Sequence, residues 1–158
     1  KINGIGQSLW YDNIERSKLK DGTIAAMISS GAIRGITSNP SIFQKAIASS
    51  KDYDLSLKPM AWSGMESAEI FWQLAVEDIK QAADLFAPLY SSTSGKDGYV
   101  SIEVDPLLAY DTEGTIQHAK ELWQQIKRPN LMIKIPATKE GIPAVRRTIA
   151  HGRNVNVT

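Results

Sequence analysis

Strand-like and helix-like segments alternate along the whole chain, and this alternation restricts the fold more than any other property of the sequence. Short runs rich in branched and aromatic residues stand at 7–12, 35–38, 99–104, 131–137 and 154–158. Between them lie longer stretches whose apolar residues recur at helical spacing. Strands joined by helices pair in parallel, because a hairpin turn is too short to hold a helix. The expected class is therefore α/β, a parallel sheet covered by helices, rather than a bundle or a sandwich.

The helical stretches carry their own boundaries. One begins at Asn13 and breaks at Asp21-Gly22. The next covers Thr23 to Ser30 and stops at Gly31. Asn39-Pro40 opens another, since the first turn of a helix does not need the N–H that proline lacks. From Met65 to about Tyr90, Ile70, Leu74, Val76, Ile79, Ala83 and Phe86 mark one long amphipathic helix or two in succession. Asp111 to Lys127 starts on cap-type and acidic residues, and Gly141 to Ala150 is followed by Gly152. Ser49 to Met60, polar and with Pro59, reads as a loop, as does turn-rich Ser91 to Gly98. A closed barrel of such units has eight strands and about 250 residues. The 158 residues here supply about five units. Residues 1–158 thus read as the N-terminal part of a single (β/α)8 TIM-barrel-type domain. A first residue other than Met, and an end at Thr158 inside a strand-like run, agree with a piece of a longer chain.

Charge and composition narrow the function classes. With 18 Lys+Arg against 17 Asp+Glu the net charge is +1, so no long-range field draws the chain to nucleic acid or to an anionic membrane. No apolar run approaches the roughly 20 residues of a membrane span, and Lys1-Ile2-Asn3-Gly4 lacks a signal-peptide core. Cysteine is absent, which removes thiol nucleophiles and thiolate metal sites and suits the cytoplasm. The only histidines are His118 and His151, so no metal is expected.

The chemistry concentrates on strand ends. In Leu131-Met132-Ile133-Lys134-Ile135-Pro136, alternation puts Leu131, Ile133 and Ile135 on one face and Lys134 on the other. If the aliphatic face packs on helices, Lys134 points inward, where desolvation disfavours the ammonium form and leaves a free amine able to attack a carbonyl. The bland alternatives are a lysine that snorkels to solvent or one held in a structural ion pair. Glu103 has the matching parity, opposite to Val100, Ile102 and Val104, and aims a carboxylate into the same interior. Asp12 ends the first strand and is either a second general acid/base or a cap for the next helix. Asn154, Asn156 and Thr158 alternate with Val155 and Val157, either as site residues or as a polar plug in a barrel centre. Asn39 either holds a hydroxyl or caps its own helix.

Two segments, Gly35-Ile36-Thr37-Ser38-Asn39-Pro40-Ser41-Ile42-Phe43 and Met132-Ile133-Lys134-Ile135-Pro136-Ala137-Thr138, resemble signatures of the transaldolase family. Val100 to Val104, Tyr110-Asp111-Thr112 and Asn154 to Thr158 resemble further family segments in the same order. Gly6 to Asn13 resembles the larger bacterial subgroup, some of whose members are fused to a phosphoglucose isomerase. The resemblance implies a cofactor-independent enzyme of the pentose phosphate pathway. Lys134 would form a Schiff base with fructose 6-phosphate or sedoheptulose 7-phosphate, and a dihydroxyacetone unit would pass to glyceraldehyde 3-phosphate or erythrose 4-phosphate. Glu103 would assist imine formation through a water, and Asp12 would take the C4-hydroxyl proton. Asn39 and Asn156 would bind dihydroxyacetone hydroxyls, Thr158 would position the water, and Thr37 would be a further contact. The family's phosphate-binding arginine and serine fall beyond the position matching Thr158, and neither Arg146 nor Arg153 matches them. Three alternatives follow: a related Schiff-base aldolase that releases dihydroxyacetone, an inactive fragment, or an interaction module. An incomplete barrel also leaves a sheet edge open to pairing with another chain.

Overall fold

Branched side chains at every second position make one face of the central strands apolar, and the computed structural model, which describes residues 2–158, buries that face under helices. The strands are β1 (Trp10–Asp12), β2 (Gly35–Thr37), β3 (Tyr99–Glu103), β4 (Leu131–Ile135) and β5 (Val155–Val157). They lie side by side in chain order, all parallel. The connecting helices are α1 (Arg16–Lys20), α2 (Thr23–Ser29), α3 (Pro40–Ser49), α4 (Asp54–Trp62), α5 (Ser67–Ser92), α6 (Thr112–Ile126) and α7 (Gly141–Ala150). Residues of α1, α2, α3, α5, α6 and α7 share one core with the strands, as right-handed crossovers between successive neighbours require. The other side is left to the polar strand residues. Five such units form a partial (β/α)8 TIM-barrel-type fold, with β1 and β5 unpaired to each other.

The helix-covered face holds the main core. Ile36, Val100, Ile102, Val104, Leu131, Ile133 and Ile135 are at most 1% exposed and join Ile79, Phe86, Leu122 and Ile126 in one cluster. Ala82, Ala83, Ala119 and Ala144 complete it, and their small side chains let α5, α6 and α7 approach the sheet closely. No helix among the described residues is long and apolar enough to cross a membrane.

The stretch from Ser49 to Met60 is not the expected loop. Lys51–Tyr53 forms a 3-10 turn and runs into α4. The turn is held by its ends: the Ser50 hydroxyl accepts from the Asp52 N–H at 3.1 Å, and Tyr53 is 1% exposed beside Ala46 and Leu74. Asp54 begins α4 and pairs with Lys58 one turn on, at 2.8 Å. No residue of α4 is fully buried, and only Leu57 and Met60 rest on the Ala46–Tyr53–Leu74 cluster, a strip too short to announce a helix. Smaller differences are a β1 that starts at Trp10 rather than Gln7, a first helix that starts at Arg16, and an α5 that continues to Ser92.

One polar cluster lies within the helix layer. Arg16, 3% exposed, donates from Nε to Asp78 Oδ1 at 2.7 Å and from a terminal nitrogen to Glu77 at 2.8 Å. Tyr53 donates to the other Asp78 oxygen at 2.7 Å, and Asp78 is fully buried. Burial pushes the Asp78 carboxyl above its usual range, against the opposing pull of Tyr53 and Arg16. This cluster fastens the short α1 to α5.

Candidate active site at the strand ends

The strand registers assemble the site. β3 pairs with β4 so that Glu103 stands opposite Lys134, and β4 pairs with β5 so that Lys134 stands opposite Asn156. Neighbours in register share a face, and the helix side is taken by Ile102, Ile133 and Ile135. Lys134 Nζ lies 3.3 Å from Glu103 Oε2, with the two side chains only 13% and 14% exposed. The lysine therefore does not snorkel to open water. A sheltered amine and a carboxylate sit within reach of proton transfer, directly or through one water.

One row lower, Asp12, Thr37, Ser101 and Met132 are matched across β1 to β4. Ser101 is fully buried and donates to Thr37 Oγ1 at 2.7 Å. Asn156 Nδ2 donates to Ser101 Oγ at 3.2 Å, reaching from β5 past β4 to β3. Ser38, also fully buried, donates from its hydroxyl to the Ser101 carbonyl at 3.0 Å and ties the end of β2 to β3. A further row down, Trp10, Gly35 and Tyr99 are aligned. A Cβ on Gly35 would overlap the Trp10 indole, so glycine makes the space that the ring fills at the lower end of this face.

Not every expected residue joins the pair. Asp12 is on the same face but exposed, and no ion pair links it to Lys134. It does not cap α1 either, whose N-cap position is Glu15. Asn39 does cap α3, its Oδ1 accepting from the Ile42 N–H at 3.0 Å. Thr158 is exposed beyond β5, with its N–H on the Ile135 carbonyl at 3.1 Å. Asn154 lies away from the rim and donates to the Leu131 carbonyl at 3.0 Å. Thr37 and Asn156 are thus joined through Ser101, with the Lys134–Glu103 pair in the row above it. Ser101 was not singled out in the sequence, although its parity with Glu103, two residues on, was the available signal.

The loops that frame the rim are tied down. After β4, the Thr138 hydroxyl donates to the Ala109 carbonyl at 2.5 Å and accepts from the Gly141 N–H at 2.9 Å. A Cβ on Gly141 would overlap the Pro136 carbonyl, two residues after Lys134. After β3, the Asp105 N–H donates to His118 Nδ1 at 3.0 Å. That bond fixes the neutral His118 with its proton on Nε2. The ring stands edge-on to Trp72, centroids 4.6 Å apart, and burial holds its pKa below the ordinary histidine value, against the opposing pull of Asp105 and Glu121. A groove of about 690 Å³ lies between α5 and α6 on the outer helical surface and is lined in part by Trp72, His118 and Glu121. It is separate from the strand-end cluster.

Parallel βα units with their charged and amide side chains gathered at the strand ends have the layout of a βα-barrel-type protein whose site is at that rim. Residues 9–158 match the family described as Transaldolase/Fructose-6-phosphate aldolase, and the chain belongs to that family. A transaldolase of Trichodesmium erythraeum is 49% identical over 158 residues, covering 100% of this chain and 42% of the relative. One from Saccharopolyspora erythraea is 45% identical over 157 residues, 99% of this chain and 42% of the relative. One from Thiobacillus denitrificans is 45% identical over 157 residues, 99% and 44%. The chain thus spans less than half the length of these curated relatives.

Proposed function

We propose that the full-length gene product is a transaldolase that works through a Schiff base on Lys134. The observation that carries this reading is the sheltered Lys134–Glu103 pair on the helix-free face. The amine attacks the ketone carbon of fructose 6-phosphate or sedoheptulose 7-phosphate, forming a C–N bond, and the carbonyl oxygen leaves as water. Glu103 relays the protons of that dehydration. The protonated imine then accepts the electron pair of the breaking C3–C4 bond while Asp12 takes the C4-hydroxyl proton. An aldose phosphate departs, and the dihydroxyacetone unit remains on Lys134 as an enamine. The enamine attacks glyceraldehyde 3-phosphate or erythrose 4-phosphate, and hydrolysis frees the lysine. No cofactor is required, because the imine is the electron sink. Asn39, Asn156 and Thr37 hold substrate hydroxyls and Thr158 holds the water. The setting is the pentose phosphate pathway in the cytoplasm.

The family description also includes an aldolase. Product analysis separates the two activities. With fructose 6-phosphate and erythrose 4-phosphate together, a transaldolase forms sedoheptulose 7-phosphate, and without the acceptor it releases little dihydroxyacetone. Free dihydroxyacetone accumulating at the same rate with and without acceptor would instead establish the aldolase. The 158-residue chain alone, which spans 42–44% of its relatives, is expected to show no turnover.

A further inference from the structure

We propose that Ser101 is a positioning residue that sets which atoms Asn156 and Thr37 offer to a ligand. The inference rests on the Schiff-base reading for its kinetic consequence, though not for its structural one. An amide nitrogen can only donate, so the Asn156 Nδ2 contact makes Ser101 Oγ an acceptor. Ser101 Oγ is buried and has one hydrogen of its own to place, and Thr37 Oγ1, 2.7 Å away, is the acceptor open to it once Asn156 donates. The line therefore runs one way, from Asn156 through Ser101 to Thr37. Its two ends have opposite character. Asn156 is left with its Oδ1 acceptor unused, and Thr37 is left with its own hydroxyl hydrogen unused, among the described residues.

Burial makes this direction durable. Ser101 is fully buried, so no bulk water competes for its hydroxyl. The Asn156–Ser101 bond also crosses β4 diagonally, from the row of Lys134 to the row of Met132, because Asn156 is matched with Lys134 and Ser101 with Met132. The combination presents one acceptor and one donor, a pair that a hydroxylated ligand satisfies at both ends. A carboxylate or phosphate, which only accepts, leaves the Asn156 oxygen unanswered.

The test uses Ser101→Ala and Ser101→Thr in the full-length gene product, with 15N-asparagine labelling to follow the Asn156 side-chain amide. In S101A, the Asn156 amide protons lose protection from exchange, and kcat/KM for fructose 6-phosphate falls about tenfold, carried mainly by KM, as expected for one lost hydrogen bond. Borohydride trapping on Lys134 persists, because the nucleophile is untouched. S101T, which retains the hydroxyl, restores both amide protection and KM. Unchanged amide exchange and unchanged KM in S101A would overturn the inference. Failure of the wild-type protein to form any adduct on Lys134 would refute the Schiff-base reading alone, since the amide measurement stands without it.

Discussion

Residue parity accounts for most of what could be read in advance at the site. A strand repeats every two residues, so the opposition of Lys134 to Ile133 and Ile135, and of Glu103 to Ile102 and Val104, follows from local sequence alone. What parity cannot supply is register. Glu103 faces Lys134 rather than Met132 because of how β3 and β4 are shifted, and the separate registers of β1, β2 and β3 level Asp12 with Ser101, a row below Glu103. Ser101 shares the parity of Glu103, but an uncharged strand residue acquires a role only through its partners on neighbouring strands, and register decides those. Two predictions belong at this scale. Glu103→Gln keeps the shape of the pair and removes the proton relay, so kcat should fall by about 100-fold or more while Lys134 remains trappable; a change under threefold would remove Glu103 from the chemistry. His118, held neutral by burial, contributes stability that is complete above its ordinary pKa of about 6.5 and is lost as pH falls toward the lowered folded value. Urea unfolding between about pH 5 and 8 should therefore show wild-type stability declining on the acid side, with the decline reduced in His118→Gln. Parallel curves for the two proteins would contradict this assignment.

Elements were legible where burial gives them a pattern and obscure where their ends hold them. α5 and α6 show apolar stripes because they lie on the sheet, whereas α4 has no fully buried residue and is held by the partly buried Leu57 and Met60, by Ser56 accepting from Arg16, and by the Ser50 and Asp54 contacts at its start. α1 has five residues, too few to be stable alone, and depends on Arg16 reaching Asp78 and Glu77 of α5. Asp78→Asn removes the fully buried half of that arrangement and should cost about 3–5 kcal/mol in unfolding free energy, with β1 and α1 losing amide protection first. A cost below about 1 kcal/mol would show that α1 is held by its apolar contacts instead.

Across the whole molecule, the order β1 to β5 with one shared core against α1, α2, α3, α5, α6 and α7 explains why the polar strand residues converge: they have only one face left. That face and both sheet edges are open here, and Ile142, Ile149 and Val157 are each more than half exposed on the α7–β5 side. The 158-residue chain should accordingly self-associate as its concentration rises, which sedimentation velocity would detect; a concentration-independent monomer would show that the edges are adequately protected. The most direct measurement of the central claim is covalent. The full-length gene product is incubated with fructose 6-phosphate, reduced with borohydride, digested and analysed by mass spectrometry. A reduced dihydroxyacetone or hexose-phosphate adduct on Lys134, absent from Lys134→Met, is the predicted result. No adduct, or an adduct confined to other lysines, would contradict the account.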